Sequence, residues 1–199
     1  MQKNQITQAV AILKNSGVIA LPTETVYGLA CDPNNSKAVK KIFAIKGRKE
    51  DKPLQLIASS FAQVNRLADL NPAERRLAKK YWPGPLTLLV KLKQGIKLAP
   101  HVSPKRTIGI RVTSSPIAAA IVKAFGHPIA ATSANRSGSP PATSGRGVVR
   151  AFKGFKNQPD YILDIGAIPK NKPTTVASIS PNGQITIHRQ GGIELKSRI

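Results

Sequence analysis

The chain has 199 residues, of which 31 are Lys or Arg and only nine are Asp or Glu, so its formal net charge at pH 7 is +22. This length suffices for a substantial core, and we expect one domain over residues 1–199. The single cysteine, Cys31, excludes a disulfide scaffold, and no apolar run is long enough to span a bilayer. Because the first 14 residues lack the apolar segment of a signal peptide, we expect a cytoplasmic protein that does not associate with membranes.

Local patterns predict alternating helices and short apolar strands, with capping residues and glycines at the helix ends. In chain order these are a helix from Thr7 to near Gly17, a strand at 18–21, a helix from Ser36 to Gly47, a strand at 54–57, a helix from the capping box Asn71–Glu74 to Lys80, strands at 86–92 and 107–112, a helix from Ser115-Pro116 to Gly126, a loop over 137–147, and strands at 161–165, 175–179 and 184–188. The last two strands flank a hairpin turn. We therefore predict an α/β fold in which helices flank one sheet of mixed parallel and antiparallel strands.

The positive charge is concentrated in one part of the sequence. Between Arg75 and Pro159 there are sixteen Lys and Arg and no Asp or Glu. Such a field favours anionic partners, namely nucleotides, RNA or acidic membrane surfaces. A generally lysine-rich surface would also explain much of the excess positive charge, although it accounts less well for the absence of Asp and Glu from the middle of the sequence.

Two polar clusters are the main candidates for chemistry. Lys46-Gly47-Arg48 puts two cations at a predicted helix end, and Thr132-Ser133-Ala134-Asn135 follows the apolar run 128–131. Loops after buried strands are where open α/β folds bind ligands, and cations with small hydrogen-bonding groups suit a nucleotide triphosphate. Taken alone, Lys46-Gly47-Arg48 is also typical of a basic helix C-terminus capped by glycine.

Several reaction classes lack the residues they need. Nine scattered acids argue against a glycosidase, the three His and one Cys have no zinc-site spacing, and the common phosphate-loop and nucleophile-elbow motifs are absent. An adenylating enzyme remains, because attack of a carboxylate or carbamate on the α-phosphorus of ATP needs mainly positioning and charge neutralisation. We expect Lys46, Arg48 and Lys52 to hold the triphosphate, and Ser133 and Asn135 to orient it.

A third polar segment, 22–28, contains two threonines and a tyrosine directly after a predicted strand. It suits a small polar ligand, and it equally suits a turn whose hydroxyls bind their own backbone. Glu24 is the nearby acid that can bind an ammonium group or a metal. Arg111, near the end of strand 107–112, can hold a carboxylate through two hydrogen bonds, or be an ordinary exposed basic residue.

Taken together and in order, seven motifs are more specific than any one of them. They are 21–29 (LPTETVYGL), 46–48 (KGR), 52–54 (KPL), 82–87 (WPGPLT), 108–111 (IGIR), 132–135 (TSAN) with 137–138 (SG), and 189–191 (RQG). This series resembles the YrdC family of threonylcarbamoyl-AMP synthases over residues 6–192. The resemblance implies a twisted α/β sheet around a basic central cavity. Because the sequence ends at Ile199, it also implies the short bacterial form without an extra C-terminal domain.

The resemblance implies an activity. L-threonine, bicarbonate and ATP would give threonylcarbamoyl-adenylate and pyrophosphate, and a partner transferase complex would pass the group to adenosine 37 of tRNA. Magnesium would accompany ATP, held by the phosphates rather than by protein ligands. Affinity for tRNA is compatible with this activity. Two alternatives stay open: a non-catalytic RNA-binding module for ribosome maturation, and a carbamoyl-adenylate enzyme of the hydrogenase-maturation type, although such proteins are much longer.

By motif, the resemblance assigns roles to individual residues. The catalytic group is Lys46, Arg48, Ser133 and Asn135. The ATP contacts are Arg48, Lys52, Thr107, Asn135, Thr143 and Arg189. The threonine contacts are Thr25, Arg111, Ser133 and Thr174, to which we add Tyr27 from segment 22–28. Three places depart from the family pattern: Lys49 stands where proline is usual, Ile57 where many members carry a histidine, and 174–178 (TTVAS) where a run like STVVD is usual.

Overall fold

The computed structural model describes residues 2–47 and 52–197. Its elements are α1 (Gln2–Lys14), β1 (Ile19–Pro22), β2 (Tyr27–Cys31), α2 (Ser36–Lys46), β3 (Gln55–Ala58), α3 (Phe61–Leu67), α4 (Pro72–Tyr81), β4 (Leu86–Lys91), β5 (Thr107–Val112), α5 (Pro116–Phe125), β6 (Ile129–Ser133), α6 (Gly145–Phe152), β7 (Tyr161–Ile162), β8 (Thr175–Ile179) and β9 (Ile185–Arg189). In these ranges no helix has the length and apolar character needed to cross a lipid bilayer.

The described strands form one sheet with the order β7-β1-β2-β6-β3-β5-β4-β8-β9. The pairs β1/β7, β3/β5 and β4/β8 are parallel, and the other neighbours are antiparallel. The predicted α/β fold with a mixed sheet is therefore confirmed. Because strands that are neighbours in the sheet are often distant in the sequence, the sheet brings together residues from most of the chain.

The two faces of the sheet are covered differently. Alternate strand residues such as Leu29, Leu56 and Ile110 point to one face, where they form a large core with α2, α3, α4 and α6. The opposite face contributes Leu21 and Ile57 to a smaller core under α1 and α5. These two helices cover part of that second face, and the rest of it forms a cavity.

Three predicted helix ends are confirmed because they depend on local chemistry. Asn71 Oδ1 accepts a hydrogen bond from the Glu74 N–H, and the Glu74 carboxylate accepts one from the Asn71 N–H, which is the predicted capping box. Gly47 and Gly126 end α2 and α5 in the left-handed conformation, which glycine adopts at little cost.

Two predicted helix starts are wrong. Helix α1 begins at Gln2 rather than Thr7, whose hydroxyl instead donates to the carbonyl of Lys3. Helix α2 is capped by Asn35 rather than Ser36, because Asn35 Oδ1 accepts from the second and third N–H groups of the helix. In both cases another polar residue lay within a few positions of the predicted cap.

Three elements, β2, α3 and α6, were not predicted, and β6 was anticipated only as the apolar run 128–131 before a polar loop. Strand β2 contains Gly and Ala and directly follows the polar residues 23–25, so its sequence resembled a loop. Helix α6 begins at Gly145, inside the segment predicted as a loop, because Ser144 caps it by accepting from the Gly147 N–H. The strand predicted at 161–165 is reduced to β7, and α3 has only seven residues.

The capping box of α4 gives a test of this fold. We expect Asn71→Ala to lower the free energy of unfolding by about 1 kcal/mol, because the Glu74 N–H loses its acceptor. Asn71→Asp keeps an acceptor oxygen and should stay near the wild type in urea unfolding. Equal losses in both variants would mean that the cap does not stabilise the helix.

Candidate active site

A cavity of about 460 Å³ opens on the part of the second sheet face that α1 and α5 leave uncovered. Among the described residues that line it, three are basic (Lys52, Arg111 and Arg189) and none is acidic. Gly28 and Gly109 lie on its floor, where the absence of a side chain leaves room for a ligand. The cavity therefore combines free volume with positive charge.

Strand pairing brings the lining residues together. Ile57 lies beside Arg111 on β3 and β5, and Gly28 lies beside Ser133 on β2 and β6. Side chains that are neighbours across strands point to the same face of a sheet. Residues from separate motifs thus meet at one surface, and Ile57 gives the cavity an apolar wall next to the Arg111 guanidinium.

Arg111 is held by a buried ion pair at the edge of the cavity. Its Nε lies 2.8 Å from Glu24 Oε1, and Thr113 Oγ1 donates to Glu24 Oε2 at 2.7 Å. Burial opposes ionisation of Glu24, but the charge of Arg111 and the Thr113 hydrogen bond outweigh it, so the pKa of Glu24 lies below its usual value. Glu24 is therefore an ionised partner that fixes the guanidinium.

This ion pair leaves one edge of Arg111 available. Glu24 uses only Nε, and within the described residues the two terminal nitrogens of Arg111 have no protein partner. Two parallel N–H groups of a guanidinium match the two oxygens of a carboxylate. The geometry therefore suits a ligand carboxylate in the cavity.

Arg189 lies at another wall and has no acidic partner in the part of the chain that the structure describes. Its Nε donates to the Thr174 carbonyl at 3.0 Å, and Nη2 donates to Thr174 Oγ1 at 2.6 Å. Partial burial and then the nearby charge of Arg111 lower the pKa of Arg189, which still stays protonated near neutral pH. An anion bound near Arg189 and Arg111 would reduce the electrostatic repulsion between their positive charges.

Thr174 is oriented by two donors. Besides Arg189 Nη2, the buried hydroxyl of Thr87 donates to Thr174 Oγ1 at 3.2 Å. Thr87 Oγ1 also lies 3.4 Å from Gln55 Oε1, so its single proton has two acceptors within reach. Thr174 lines the cavity and thus offers a neutral hydroxyl beside a cation.

Lys46, Ser133 and Asn135 form one hydrogen-bonded cluster. The Lys46 ammonium, which is 2% exposed, donates to the Ser133 carbonyl at 2.7 Å and to both the carbonyl and Oδ1 of Asn135 at 3.0 Å. Ser133 Oγ donates to the same Oδ1 at 2.6 Å. These contacts turn Lys46 toward the loop after β6, and Ser133 is the member of the cluster that lines the cavity.

The same loop completes the end of α2. Arg136 Nη1 donates to the Ile45 carbonyl at 2.9 Å, and the Ser137 N–H donates to the Lys46 carbonyl at 3.0 Å. These carbonyls belong to the last turn of the helix, where no intrahelical donor is available. The two motifs predicted to act together are therefore physically joined.

The segment between β1 and β2 fits both interpretations left open by its sequence. The Thr23 hydroxyl donates to the Val26 carbonyl at 2.6 Å, so it satisfies the backbone of its own turn. Thr23 and Thr25 also line the cavity. The turn therefore presents polar atoms to a ligand while keeping a fixed shape.

The structure brings together about half of the predicted site residues. Those that line the cavity are Thr25, Lys52, Arg111, Ser133, Thr174 and Arg189. Lys46 and Asn135 lie directly behind Ser133. Arg48, like Lys49, lies outside the described residues, so its role stays a prediction.

Three predicted contacts do not line the cavity. Tyr27 is fully buried on the opposite face, where its hydroxyl donates to the Gly166 carbonyl at 2.9 Å, because strand residues alternate between faces. Thr107 begins β5, two residues before the lining residue Gly109. Thr143 lies near the start of α6, and its carbonyl accepts from the Ile168 N–H. In this structure Tyr27 and Thr143 make contacts within the protein, and none of the three residues lines the cavity.

Sequence reasoning assigned no role to three polar residues of this site, Gln55, Thr87 and His188. Thr87 belongs to motif 82–87, and its hydroxyl orients Thr174, yet no role was assigned to it. His188 lines the cavity immediately before Arg189. The signal for His188 was weak, because adjacent residues of a regular strand face opposite sides.

This fold and cavity define the class of protein. The family model named Sua5, YciO and YrdC, with the description "Telomere recombination", matches residues 11–191. The chain belongs to this family, and the resemblance predicted from the motifs is confirmed.

Individual relatives are similar over most of this chain. Threonylcarbamoyl-AMP synthase of Bacillus subtilis is 38% identical over 191 residues, which cover 95% of this chain and 54% of the relative. The enzyme of the same name from Nitrosococcus oceani is 38% identical over 161 residues, covering 80% of this chain and 84% of the relative. The chain thus spans about half the length of the first relative and most of the second.

Solved structures agree with the fold. Sua5 of P. abyssi, crystallised with L-threonine, superposes with a TM-score of 0.84 at 35% identity, covering 94% of this chain and 54% of Sua5. YciO of E. coli gives a TM-score of 0.85 at 28% identity, covering 100% of this chain and 94% of YciO.

The Lys46 cluster gives a second prediction. We expect Lys46→Met to cost about 1–3 kcal/mol in unfolding free energy, because the Asn135 carbonyl loses its Lys46 donor, while the Ser133 carbonyl and Asn135 Oδ1 each keep one other donor. Amide hydrogen exchange in the loop after β6 should also accelerate. Lys40→Met, on an exposed position of the same helix, is the control and should change neither measurement. A Lys46→Met protein with unchanged exchange in this loop would contradict the assigned role.

The Glu24–Arg111 pair gives a prediction about pH. Because the pKa of Glu24 is lowered in the folded state, its ionisation stabilises the fold above the unfolded pKa, and this contribution is lost as pH falls through the folded pKa. In urea unfolding, the stability difference between wild type and Glu24→Gln should therefore be largest near neutral pH and shrink in acid.

Glu74 is the matched control. Burial raises the pKa of Glu74, so its neutral form is favoured in the folded state and the difference from Glu74→Gln should have the opposite pH dependence. A difference for Glu24→Gln that grows in acid would contradict the assignment of Glu24, and a difference for Glu74→Gln that shrinks in acid would contradict that of Glu74.

Proposed function

We propose that this protein is a threonylcarbamoyl-AMP synthase, which converts L-threonine, bicarbonate and ATP into threonylcarbamoyl-adenylate and pyrophosphate. The observation that carries the proposal is one cavity with two differently held guanidinium groups, Arg111 paired with Glu24 and Arg189 without an acid among the described residues. Such a pair suits a carboxylate and a polyphosphate side by side. The curated relatives of that name support the same activity.

The amino-acid end of the cavity is proposed to be at Arg111. Its two terminal nitrogens would bind the carboxylate of threonine, and Glu24 would keep the guanidinium in position. Thr25 adds polar atoms from the turn after β1, and Ile57 adds an apolar contact for the methyl group. The threonine complex of P. abyssi Sua5, to which this chain is 35% identical, supports an amino-acid site in this fold.

The nucleotide end is proposed to be at Arg189, Lys52 and Thr174. Two cations and one oriented hydroxyl converge there, and they can neutralise the charge that develops on the phosphate oxygens. Ser133, held by the Lys46–Asn135 cluster, would contact ligands between the two ends. Arg48, Thr107 and Thr143 remain proposed ATP contacts on the motif resemblance alone.

The proposed chemistry needs no covalent help from the protein. The amino nitrogen of threonine forms a bond with the carbon of bicarbonate, water is lost, and a carbamate results. A carbamate oxygen then attacks the α-phosphorus of ATP, the bond from this phosphorus to the β-phosphate oxygen breaks, and pyrophosphate leaves. The residues of the cavity would hold the reactants in line, which accounts for a large part of such catalysis.

Magnesium is proposed to enter with ATP. The described residues include no group of three or more His, Cys, Asp or Glu that could hold a metal ion. Both carboxylate oxygens of Glu24, the partner of the lining residue Arg111, already accept hydrogen bonds from Arg111 and Thr113. These residues do not fit a protein-held ion, so the phosphates would carry it.

The proposal extends to partners and location. The adenylate would be consumed by a tRNA-modifying transferase complex that forms N6-threonylcarbamoyladenosine at position 37, in the cytoplasm, and the net charge of +22 is compatible with tRNA affinity. A non-catalytic RNA-binding module is not favoured. Such a module has no need for hydroxyl, amide and guanidinium groups that converge inside a cavity.

Pyrophosphate release tests the proposed function. We expect release from ATP only when threonine and bicarbonate are both present, with loss of the signal when either is omitted. Serine and valine replace threonine in parallel reactions as controls for the amino acid. Release that does not depend on threonine would overturn the proposal.

The two arginines should separate kinetically. Arg111→Lys keeps a cation beside Glu24 but loses the planar pair of donors, so we expect the KM for threonine to rise about tenfold while that for ATP changes little. Arg189→Lys should mainly raise the KM for ATP. Steady-state kinetics with each substrate varied checks this, and equal effects of both variants on both substrates would remove the assignment of the two ends.

A further inference from the structure

A β-bulge lies where β9 meets the cavity. Val176 pairs with Arg189, but the next residue of β8, Ala177, pairs with Ile187. His188 is therefore an extra residue on β9 that has no partner in the register. Bulges of this kind redirect side chains and break the alternation of a regular strand.

The bulge puts two successive side chains on the same wall. His188 and Arg189 both line the cavity, and the His188 ring contacts Ser178, which lies two residues after the lining residue Val176 on β8. The wall thus contains an imidazole beside the guanidinium that has no acidic partner among the described residues.

Ser178 fixes the orientation of the imidazole. His188 Nε2 lies 2.8 Å from Ser178 Oγ, on the neighbouring strand β8. When this hydroxyl donates to Nε2, the neutral ring carries its proton on Nδ1. In the described part of the chain Nδ1 has no protein partner, so the ring has a donor available for a ligand.

We propose that His188 is a further nucleotide-binding residue that donates a hydrogen bond from Nδ1 to the phosphate chain of the nucleoside triphosphate, beside Arg189. Ser178 is the positioning residue that holds the ring orientation. An imidazole N–H donor next to a guanidinium extends the anion site. This inference rests on the proposed function, because it requires a nucleotide in the cavity.

The experiment measures binding of a non-hydrolysable ATP analogue, inorganic triphosphate, adenosine and L-threonine to the full chain by calorimetry. We expect His188→Leu to lower the affinity for the analogue and for triphosphate about tenfold, which is the effect of losing one hydrogen bond to a charged group. Adenosine and threonine binding should be unchanged. His188→Asn, whose amide nitrogen can occupy the place of Nδ1, should restore affinity to within about threefold of the wild type.

Ser178→Ala tests the positioning role. If the hydroxyl acts through His188, the variant should weaken triphosphate binding in the wild-type background and have no further effect in His188→Leu. His127→Leu, a histidine outside the cavity that contacts Phe125, is the matched control and should bind every probe normally.

The outcomes separate the two claims. A wild-type protein that binds neither the analogue nor threonine would overturn the proposed function and this inference with it. A wild-type protein that binds both, with His188→Leu binding the analogue equally well, would overturn the inference alone. Weakened adenosine binding with unchanged triphosphate binding would likewise reject the contact with the phosphates.

Discussion

The buried ammonium of Lys46 is the interaction on which the rest of the site depends. A charge that is 2% exposed must be compensated, and the carbonyl and side-chain oxygens of Ser133 and Asn135 do this. The same loop donates to the last carbonyls of α2 through Arg136 and Ser137. Neither segment can move without leaving charged or polar groups unsatisfied, so Ser133 is held rigidly at the cavity wall.

The two arginines of the cavity are held in different ways. Arg111 is oriented by the ionised Glu24 and keeps a planar pair of donors, whereas Arg189 is bound only by atoms of Thr174 within the described residues. The first arrangement carries little net charge and suits a carboxylate. The second keeps its full charge and suits phosphates. A positive field from the whole chain would draw both ligands toward the same opening.

Local features of the sequence predicted much of the fold and the chemical nature of the site. The Asn71–Glu74 capping box and the glycine at 47 act within a few residues, so their patterns identified helix ends correctly. The motif resemblance also pointed to Arg111 and Arg189, and both residues line the cavity. Strand β2 was missed, since Gly and Ala in the middle of a sheet resemble loop residues when the neighbouring strands are unknown.

The sequence by itself determined the residue types of an anion site, the net charge and the order of the motifs. The tertiary structure alone decided which of these residues share a surface. Glu24 and Arg111 are 87 residues apart, Lys46 and Asn135 are 89 apart, and the β9 bulge turns His188 into the cavity. Strand order and register create these contacts, and both depend on packing between distant segments that no local pattern encodes.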